Sequence, residues 1–129
     1  MEYISEYDEV NGICTVRVTG KHKRPKDSMV LQQFARDFDD EQNCQRFLFD
    51  MTQAEIISET IDIFKTGTVP VDPDHKQVMQ KIALAYSGDM TYHKFMENVA
   101  VNRGYNLRVF SRREEAFEGL KPNQKNTEQ

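Results

Sequence analysis

Three consecutive large apolar residues, Phe47, Leu48 and Phe49, lie in a short apolar run over residues 44–51. Side chains of a strand alternate between its two faces, so a strand of this composition is buried on both of them. Burial on both faces is typical of a parallel sheet that is covered by helices on each side. The run therefore predicts an inner strand of an α/β protein. We expect a polar turn to follow it, and then a helix that begins near Ser58.

The beginning of the chain predicts an antiparallel hairpin around Asn11 and Gly12. These two residue types accept the positive φ that a two-residue hairpin turn requires. The turn would join a strand ending at Val10 to a strand beginning at Ile13, so that these two residues are opposite each other. In this register charged residues pair on one face of the hairpin and apolar residues on the other, which supports the assignment.

The apolar spacing after the hairpin alternates between helix and strand periods. A helix is predicted from near Pro25 to near Asp39, strands over residues 81–86 and 107–110, and a helix over residues 92–100. Ser111 and Glu114 have the spacing of a capping box, which predicts that a last helix begins there. The predicted fold class is α/β, with a single mixed, mostly parallel sheet of about five strands, an N-terminal antiparallel hairpin and helices packed on the sheet.

Length, charge and cysteine usage limit the class of protein. A chain of 129 residues suits one domain, which we place at residues 1–120. Residues 121–129 lack the apolar residues of a core, and we expect them to form a disordered tail. Cys14 and Cys44 lie in apolar runs, which indicates buried free thiols in a reducing, cytoplasmic setting. No apolar run reaches the length of a membrane span. The net charge of -4 makes nucleic acid an unsuitable partner.

Four cations form a basic cluster between the second predicted strand and the first predicted helix. They are Lys21, Lys23, Arg24 and Lys26. A helix start favours anions, so this predicted loop is a candidate anion-binding site. It lacks the spacing of a nucleotide phosphate loop, and a solvated loop without a ligand is the alternative interpretation.

Polar residues follow two predicted parallel strands, at the sheet edge where α/β proteins usually bind their ligands. The candidates for binding a partner or ligand are Asp50, Thr52, Ser58, Glu59, Thr60, Ser87, Gly88 and Asp89. Their alternative roles are local, as helix caps and turn residues. The sequence contains no motif for catalysis, metal binding or a cofactor, so we expect neither an enzyme nor a cofactor.

Residues 81–120, together with the FLFDMTQAE segment, resemble the SpoIIAA-like superfamily, which joins STAS domains to lipid-transfer domains of the CRAL-TRIO type. In particular, these residues resemble the small, stand-alone STAS-like proteins of bacteria. This resemblance implies a STAS-like fold and a non-catalytic regulatory or protein-interaction function, with another protein as the partner. A homodimer is a further alternative. It also implies a second candidate function, a carrier of a small apolar molecule or lipid.

In the anti-sigma-factor antagonists of the STAS family, a strand ending in Asp-Leu-Ser precedes a helix whose serine is phosphorylated. Asp50, Met51 and Thr52 resemble the end of that strand. The helix start departs from the family pattern, because Glu59 stands near the position of the phosphorylated serine. The resemblance therefore leaves Ser58 and Thr60 as the candidate phosphorylation sites.

Overall fold

The computed structural model describes residues 1–23, 26–57, 80–88, 94, 97–98, 101–102 and 106–122. Within these residues the elements are β1 (Glu2–Asp8), β2 (Ile13–Lys23), α1 (Lys26–Gln42), β3 (Arg46–Ile57), β4 (Lys81–Ala85), β5 (Asn106–Phe110) and α2 (Arg113–Leu120). The helix predicted from Ser58 lies outside the described residues. In the part of the chain that is described, neither helix is long and apolar enough to cross a membrane.

The five strands form one sheet in the order β1-β2-β3-β4-β5. β1 is antiparallel to β2, and each of the other neighbouring pairs is parallel. Helices pack on the sheet, as the strand and helix periods of the sequence predict. The predicted fold class is therefore confirmed.

The central strand β3 is buried on both faces, as its apolar run predicts. Phe47 and Phe49 face α1, where they pack with Leu31 and Ala35 of that helix. Leu48 points to the other face, into a cluster that includes side chains of α2. The described α1 ends three residues later than predicted, and its apolar stripe provides the contacts with the sheet.

The hairpin forms, but its predicted register is wrong by two residues. β1 ends at Asp8, which is the residue opposite Ile13. The Asp8 carboxylate accepts hydrogen bonds from the backbone N–H groups of Val10 at 2.9 Å and Asn11 at 3.2 Å, and from the Asn11 side chain at 3.0 Å. These bonds stabilise a four-residue turn, with Gly12 at a φ of 67°. A shift of two residues keeps every side chain on its predicted face.

The predicted basic loop is partly strand, which corrects the interpretation of its lysines. Lys21 and Lys23 belong to β2, and Lys26 is the first residue of α1. β2 continues to Lys23 because β3 continues beside it, with Lys21 paired opposite Glu55. Arg24 lies outside the described residues. Lys21 and Lys23 are therefore presented by an extended strand, and anion binding by the basic cluster stays a prediction.

The outer edge of β5 is covered by two side chains from a helical stretch. The Val109 N–H donates to Glu97 Oε2 at 2.6 Å, and Lys94 Nζ donates to the Val109 carbonyl at 3.5 Å. Lys94 and Glu97 also form an ion pair at 3.2 Å. An uncovered edge strand can pair with another chain. This pair occupies the hydrogen-bonding groups of Val109 and disfavours strand addition there.

Candidate functional site

The sheet becomes narrower directly after Asp50. This residue pairs with Arg17 on β2 and with Ala85 on β4, and β4 ends at Ala85. β3 continues to Ile57 with only β2 beside it among the described strands. The polar turn predicted after Asp50 is therefore wrong, because pairing with β2 keeps this segment extended. The step between short and long strands leaves an open surface above Asp50.

A β-bulge in β3 lies at this step. The paired residues change from Arg17 and Asp50 to Thr19 and Gln53, so that β3 has one more residue than β2 over this interval. A bulge of this kind reverses the alternation of side chains beyond it. The packing shows the reversal, because Phe49 and Met51 before the bulge and Ala54 after it contact the same core. The bulge thus sets which residues face the open surface.

Asp50 is buried and has hydrogen-bond partners that explain its burial. Its Oδ1 accepts from the Thr52 N–H at 3.0 Å and from the Thr52 hydroxyl at 2.6 Å. Its Oδ2 lies 4.0 Å from Nε of Arg113, the first residue of α2. A buried carboxylate needs such donors to offset its lost hydration. Asp50 therefore stabilises the bulge and connects β3 to α2.

An open cleft of ≈ 620 Å³ lies above Asp50, and we call it the Asp50 cleft. Its walls come from β2, β3 and the turn between β5 and α2. Its lining residues are Arg17, Thr19, Asp50, Thr52, Gln53, Ser111, Arg112, Arg113 and Glu114. Three arginines and two carboxylates thus share one cleft, together with neutral hydrogen-bonding side chains. The arrangement suits the binding of a polar or charged group.

The helix that contributes to this cleft begins one residue later than predicted. The N-cap of α2 is Arg112, with φ -135° and ψ 143°, and its side chain makes no capping hydrogen bond. The predicted capping box of Ser111 and Glu114 is therefore wrong. β5 ends at Phe110, and two more non-helical residues precede the first helical turn. Ser111 lines the cleft instead of capping the helix.

The structure places the predicted site residues in different parts of the molecule, and some of them lie outside the described residues. Asp50 and Thr52 line the cleft, where β4 ends and β3 continues, and their part in binding a partner or ligand stays a prediction. Ser87 and Gly88 follow β4 and are exposed, but they do not line this cleft. A Cβ at Gly88 would meet the outer end of the Tyr86 side chain, so a larger residue there requires that ring to move. The remaining candidates stay predictions, because Ser58, Glu59, Thr60 and Asp89 lie outside the described residues.

The sequence patterns do not single out the three arginines of the cleft as site residues. Arg112 and Arg113 directly follow a predicted strand, which is the position where ligand-binding residues of α/β proteins concentrate. Arg17 is a charged residue at an outward position of a predicted strand. These signals were present, but nothing in the local sequence indicates that Arg17 and Arg113 lie above the same carboxylate.

A carrier of a small apolar molecule or lipid needs a cavity lined by apolar or aromatic side chains. Phe47 and Phe49 instead stack on each other, with ring centroids 6.3 Å apart. Phe47 also makes an edge contact with Phe38 at 6.1 Å. These contacts place the two rings in a packed core and do not favour a carrier function.

Asp50 gives a stability prediction specific to the cleft. Replacing Asp50 with alanine is expected to lower the free energy of unfolding by about 1–3 kcal/mol, because the Thr52 N–H at the bulge loses its acceptor. Asp50→Asn is the matched control, since its side-chain oxygen can still accept that bond, and its loss should be smaller. Urea unfolding measures both values. Equal losses for the two variants would contradict the assigned role.

No family model matches the sequence, and no curated protein matches it. Several solved structures are similar. An anti-sigma factor antagonist from Mycobacterium paratuberculosis has a TM-score of 0.55 and 11% identity, over 92% of this chain and 92% of that one. An uncharacterised DUF3478-family protein from Shewanella loihica PV-4, described as having a SpoIIAA-like fold, has a TM-score of 0.54 and 11% identity, over 92% of both chains.

The unphosphorylated form of the anti-sigma factor antagonist SpoIIAA has a TM-score of 0.53 and 10% identity, over 92% of this chain and 97% of that one. The three proteins share the arrangement of the chain and little of its sequence. Taken with the strand order and the mixed sheet described above, these likenesses show that this chain has the SpoIIAA-like, STAS-type fold that the resemblance of residues 81–120 implied.

Proposed function

We propose that this chain is a non-catalytic regulatory domain that binds another protein through the Asp50 cleft. The observation that carries the proposal is an open polar cleft above a carboxylate whose hydrogen bonds are structural. Asp50 Oδ1 already accepts two hydrogen bonds from Thr52, and Oδ2 faces Arg113. The carboxylate therefore shapes the floor of the cleft, and the exposed side chains around it are available to a partner.

The composition of the cleft supports a protein as the partner. Arginine is enriched at protein interfaces, where its planar group combines packing with several hydrogen bonds. Arg17 and Arg112 are exposed, and Thr19, Gln53 and Ser111 add neutral donors and acceptors. Side chains of this kind match the polar backbone and charged side chains of another protein.

The similar structures support the regulatory part of the proposal. Two of the three described above are named anti-sigma factor antagonists, a name that denotes action on a protein factor. The likeness to this chain is one of fold. We carry over the general class of function, a regulator that works by binding a protein, and we assign no particular partner.

Site-specific photo-crosslinking tests this function. Benzoylphenylalanine is placed at Gln53, an exposed residue of the cleft, and in a control at Glu41, an exposed residue of α1. The two variants are irradiated in a lysate of the organism that encodes the chain. We expect a discrete protein adduct at position 53 and none at position 41. Adducts of the same proteins at both positions, or no adduct at position 53, would refute the proposal.

A binding measurement with purified proteins completes this test. The captured protein is identified by mass spectrometry and titrated calorimetrically against the wild-type chain and two tryptophan variants. Gln53→Trp obstructs the cleft and is expected to weaken binding at least about tenfold. Glu41→Trp adds the same side chain to an exposed position of α1 and should leave the affinity unchanged. Equal effects of the two variants would place the partner elsewhere on the surface.

A further inference from the structure

We propose that the Asp50 cleft receives an acidic peptide segment of the partner, whose carboxylates pair with Arg17, Arg112 and Arg113. This inference rests on the proposed function and adds the chemistry by which the partner is recognised. It concerns residues that come from two separate parts of the chain. Arg17 belongs to β2, whereas the other two arginines lie at the start of α2.

The accessible charge of the cleft is positive, although the whole chain has a net charge of -4. Of the two carboxylates in the cleft, Asp50 is buried and already accepts hydrogen bonds from Thr52. Glu114 lies 3.9 Å from Nε of Arg112, but both side chains are largely exposed, so that this pair is weak. Three guanidinium groups against one buried and one exposed carboxylate leave the cleft with an excess of positive charge.

The arginines have unused hydrogen-bonding capacity. Among the described residues, Arg17 has no carboxylate within ion-pair distance. Arg113 reaches Asp50 only through a 4.0 Å contact of its Nε, and its side chain is 39% exposed. A guanidinium has five donors in a planar fork, which matches the two oxygens of a carboxylate. Each of these side chains can therefore bind a carboxylate of a ligand while the fold stays intact.

A peptide fits this site better than a single small anion. The arginines stand on different walls of an open cleft of ≈ 620 Å³, and one exposed ion pair contributes little to binding. A peptide with several carboxylates combines several of these weak ion pairs, and it covers more of the cleft than a small anion does. The neutral side chains of Thr19, Gln53 and Ser111 can then hydrogen-bond to the peptide backbone.

Lys21 and Lys23, the two residues of the basic cluster that lie in β2, are a weaker alternative site for binding an acidic peptide. Lys21 is paired in the sheet opposite Glu55, and the Lys23 N–H donates to Asp27 Oδ2 at 2.7 Å. Glu55 is thus the cross-strand neighbour of Lys21, and Asp27 binds the Lys23 backbone, so that acidic residues are interspersed with these cations. Lys21 nevertheless provides a useful control, because its replacement removes one exposed positive charge outside the cleft.

The test uses a fluorescein-labelled hexaglutamate peptide and measures its affinity by fluorescence anisotropy. Arg17→Gln and Arg112→Gln are each expected to weaken binding by up to about fivefold, the usual effect of an exposed ion pair. Asp50→Asn is expected to strengthen it by about twofold to fivefold, because it removes a negative charge from the cleft floor. Lys21→Gln should bind like the wild type. Unchanged urea unfolding midpoints for the arginine variants show that the fold is kept.

The signs of these effects separate a binding site from a structural one. If Asp50→Asn weakens the binding of the peptide, or if Lys21→Gln weakens it as much as Arg17→Gln does, the inference is wrong. Inorganic phosphate that displaces hexaglutamate at equal concentration would indicate a small-anion site and would also overturn it. Backbone amide shifts in NMR spectra that cluster at Arg17, Gln53 and Arg112 on addition of the peptide would support it.

The outcome is distinguishable from that of the proposed function. If position 53 crosslinks to a protein and hexaglutamate does not bind, the acidic chemistry is wrong and the protein-binding function stands. If hexaglutamate binds with the expected pattern and position 53 captures no protein, the cleft recognises acidic groups and the regulatory function fails.

Discussion

Replacing Phe47 with alanine is expected to lower the free energy of unfolding by about 3–5 kcal/mol, as is usual for a large ring removed from a well-packed core. Phe47 has no exposed surface and lies at the centre of the core between the sheet and α1. Its ring contacts Phe38 and Phe49, and both contacts are lost in the variant. Urea unfolding followed by far-UV circular dichroism measures the change.

Phe117→Ala is the matched control for this prediction. Phe117 is only partly buried on α2, and its ring lies 5.7 Å from the Lys121 ammonium. Loss of a half-exposed ring should cost about 1–2 kcal/mol. The burial of Phe47 indicates that the core between α1 and the sheet is the main source of stability. Equal losses of unfolding free energy in the two variants would contradict this. An unchanged urea dependence of unfolding would show that both variants unfold from a native-like state.

Between pH 9 and pH 12, the wild type is expected to lose stability relative to a Cys14→Ala variant. Burial raises the pKa of the Cys14 thiol from 9.0 to about 12, with a smaller contribution from the nearby Cys44 thiol. Below pH 9 the thiol is protonated in both the folded and the unfolded chain, so the difference between the two proteins is constant. Above pH 9 only the unfolded state releases the proton, and unfolding becomes more favourable.

The expected slope of this difference is about 1.4 kcal/mol for each pH unit, until the folded-state pKa is reached. Urea unfolding at several pH values, with wild type and Cys14→Ala measured in parallel, gives the difference directly. Groups common to both proteins, among them Cys44, whose pKa is also raised by burial, cancel in this comparison to first order. A difference that stays constant from pH 8 to pH 11 would contradict the prediction.

The same burial predicts the reactivity of the two free thiols. Cys14 and Cys44 have almost no exposed surface. Both should be inert to Ellman's reagent in the native state at pH 8 and should react when urea unfolds the chain, because only an accessible thiolate can attack the disulfide of the reagent and release its thiolate. The burial of both side chains confirms the prediction that they are buried free thiols. Their reaction with the reagent would therefore report the unfolding of the chain.

Elements that depend on local pattern were predicted well. The run of Phe47, Leu48 and Phe49 predicted a strand buried on both faces, and both cores contain its side chains. The helical spacing of Leu31 and Ala35 predicted α1 and its buried stripe. Such patterns are readable because the burial of each side chain follows from the period of its own element.

Element ends were predicted less well, because they depend on interactions that a period does not contain. The hairpin register was wrong since the Asp8 side chain, with its hydrogen bonds to Asn11, closes a longer turn. The polar segment after Asp50 has the composition of a turn, yet it is strand, because the extended end of β2 offers it backbone partners. Pairing with a distant strand overrode local preference there.

The candidate site shows the same division between local and long-range causes. The local pattern placed Asp50 and Thr52 at the carboxyl end of an inner strand, and both line the cleft. The sequence contains no indication of the bulge beside Asp50, nor of the fact that Arg17 and Arg113 lie beside the same carboxylate. Arg17 lies opposite Asp50 because parallel pairing aligns β2 with β3, and Arg113 comes within 4.0 Å of the Asp50 carboxylate because α2 packs on the sheet.

Hydrophobic periodicity alone was thus sufficient for the α/β class, the order of most elements and the two-faced burial of β3. Each of these depends on how one segment divides its side chains between core and solvent. The cleft, its bulge and its positive surface arise from strand lengths, register and helix packing. These are set by contacts between residues far apart in the chain, and no local pattern encodes them.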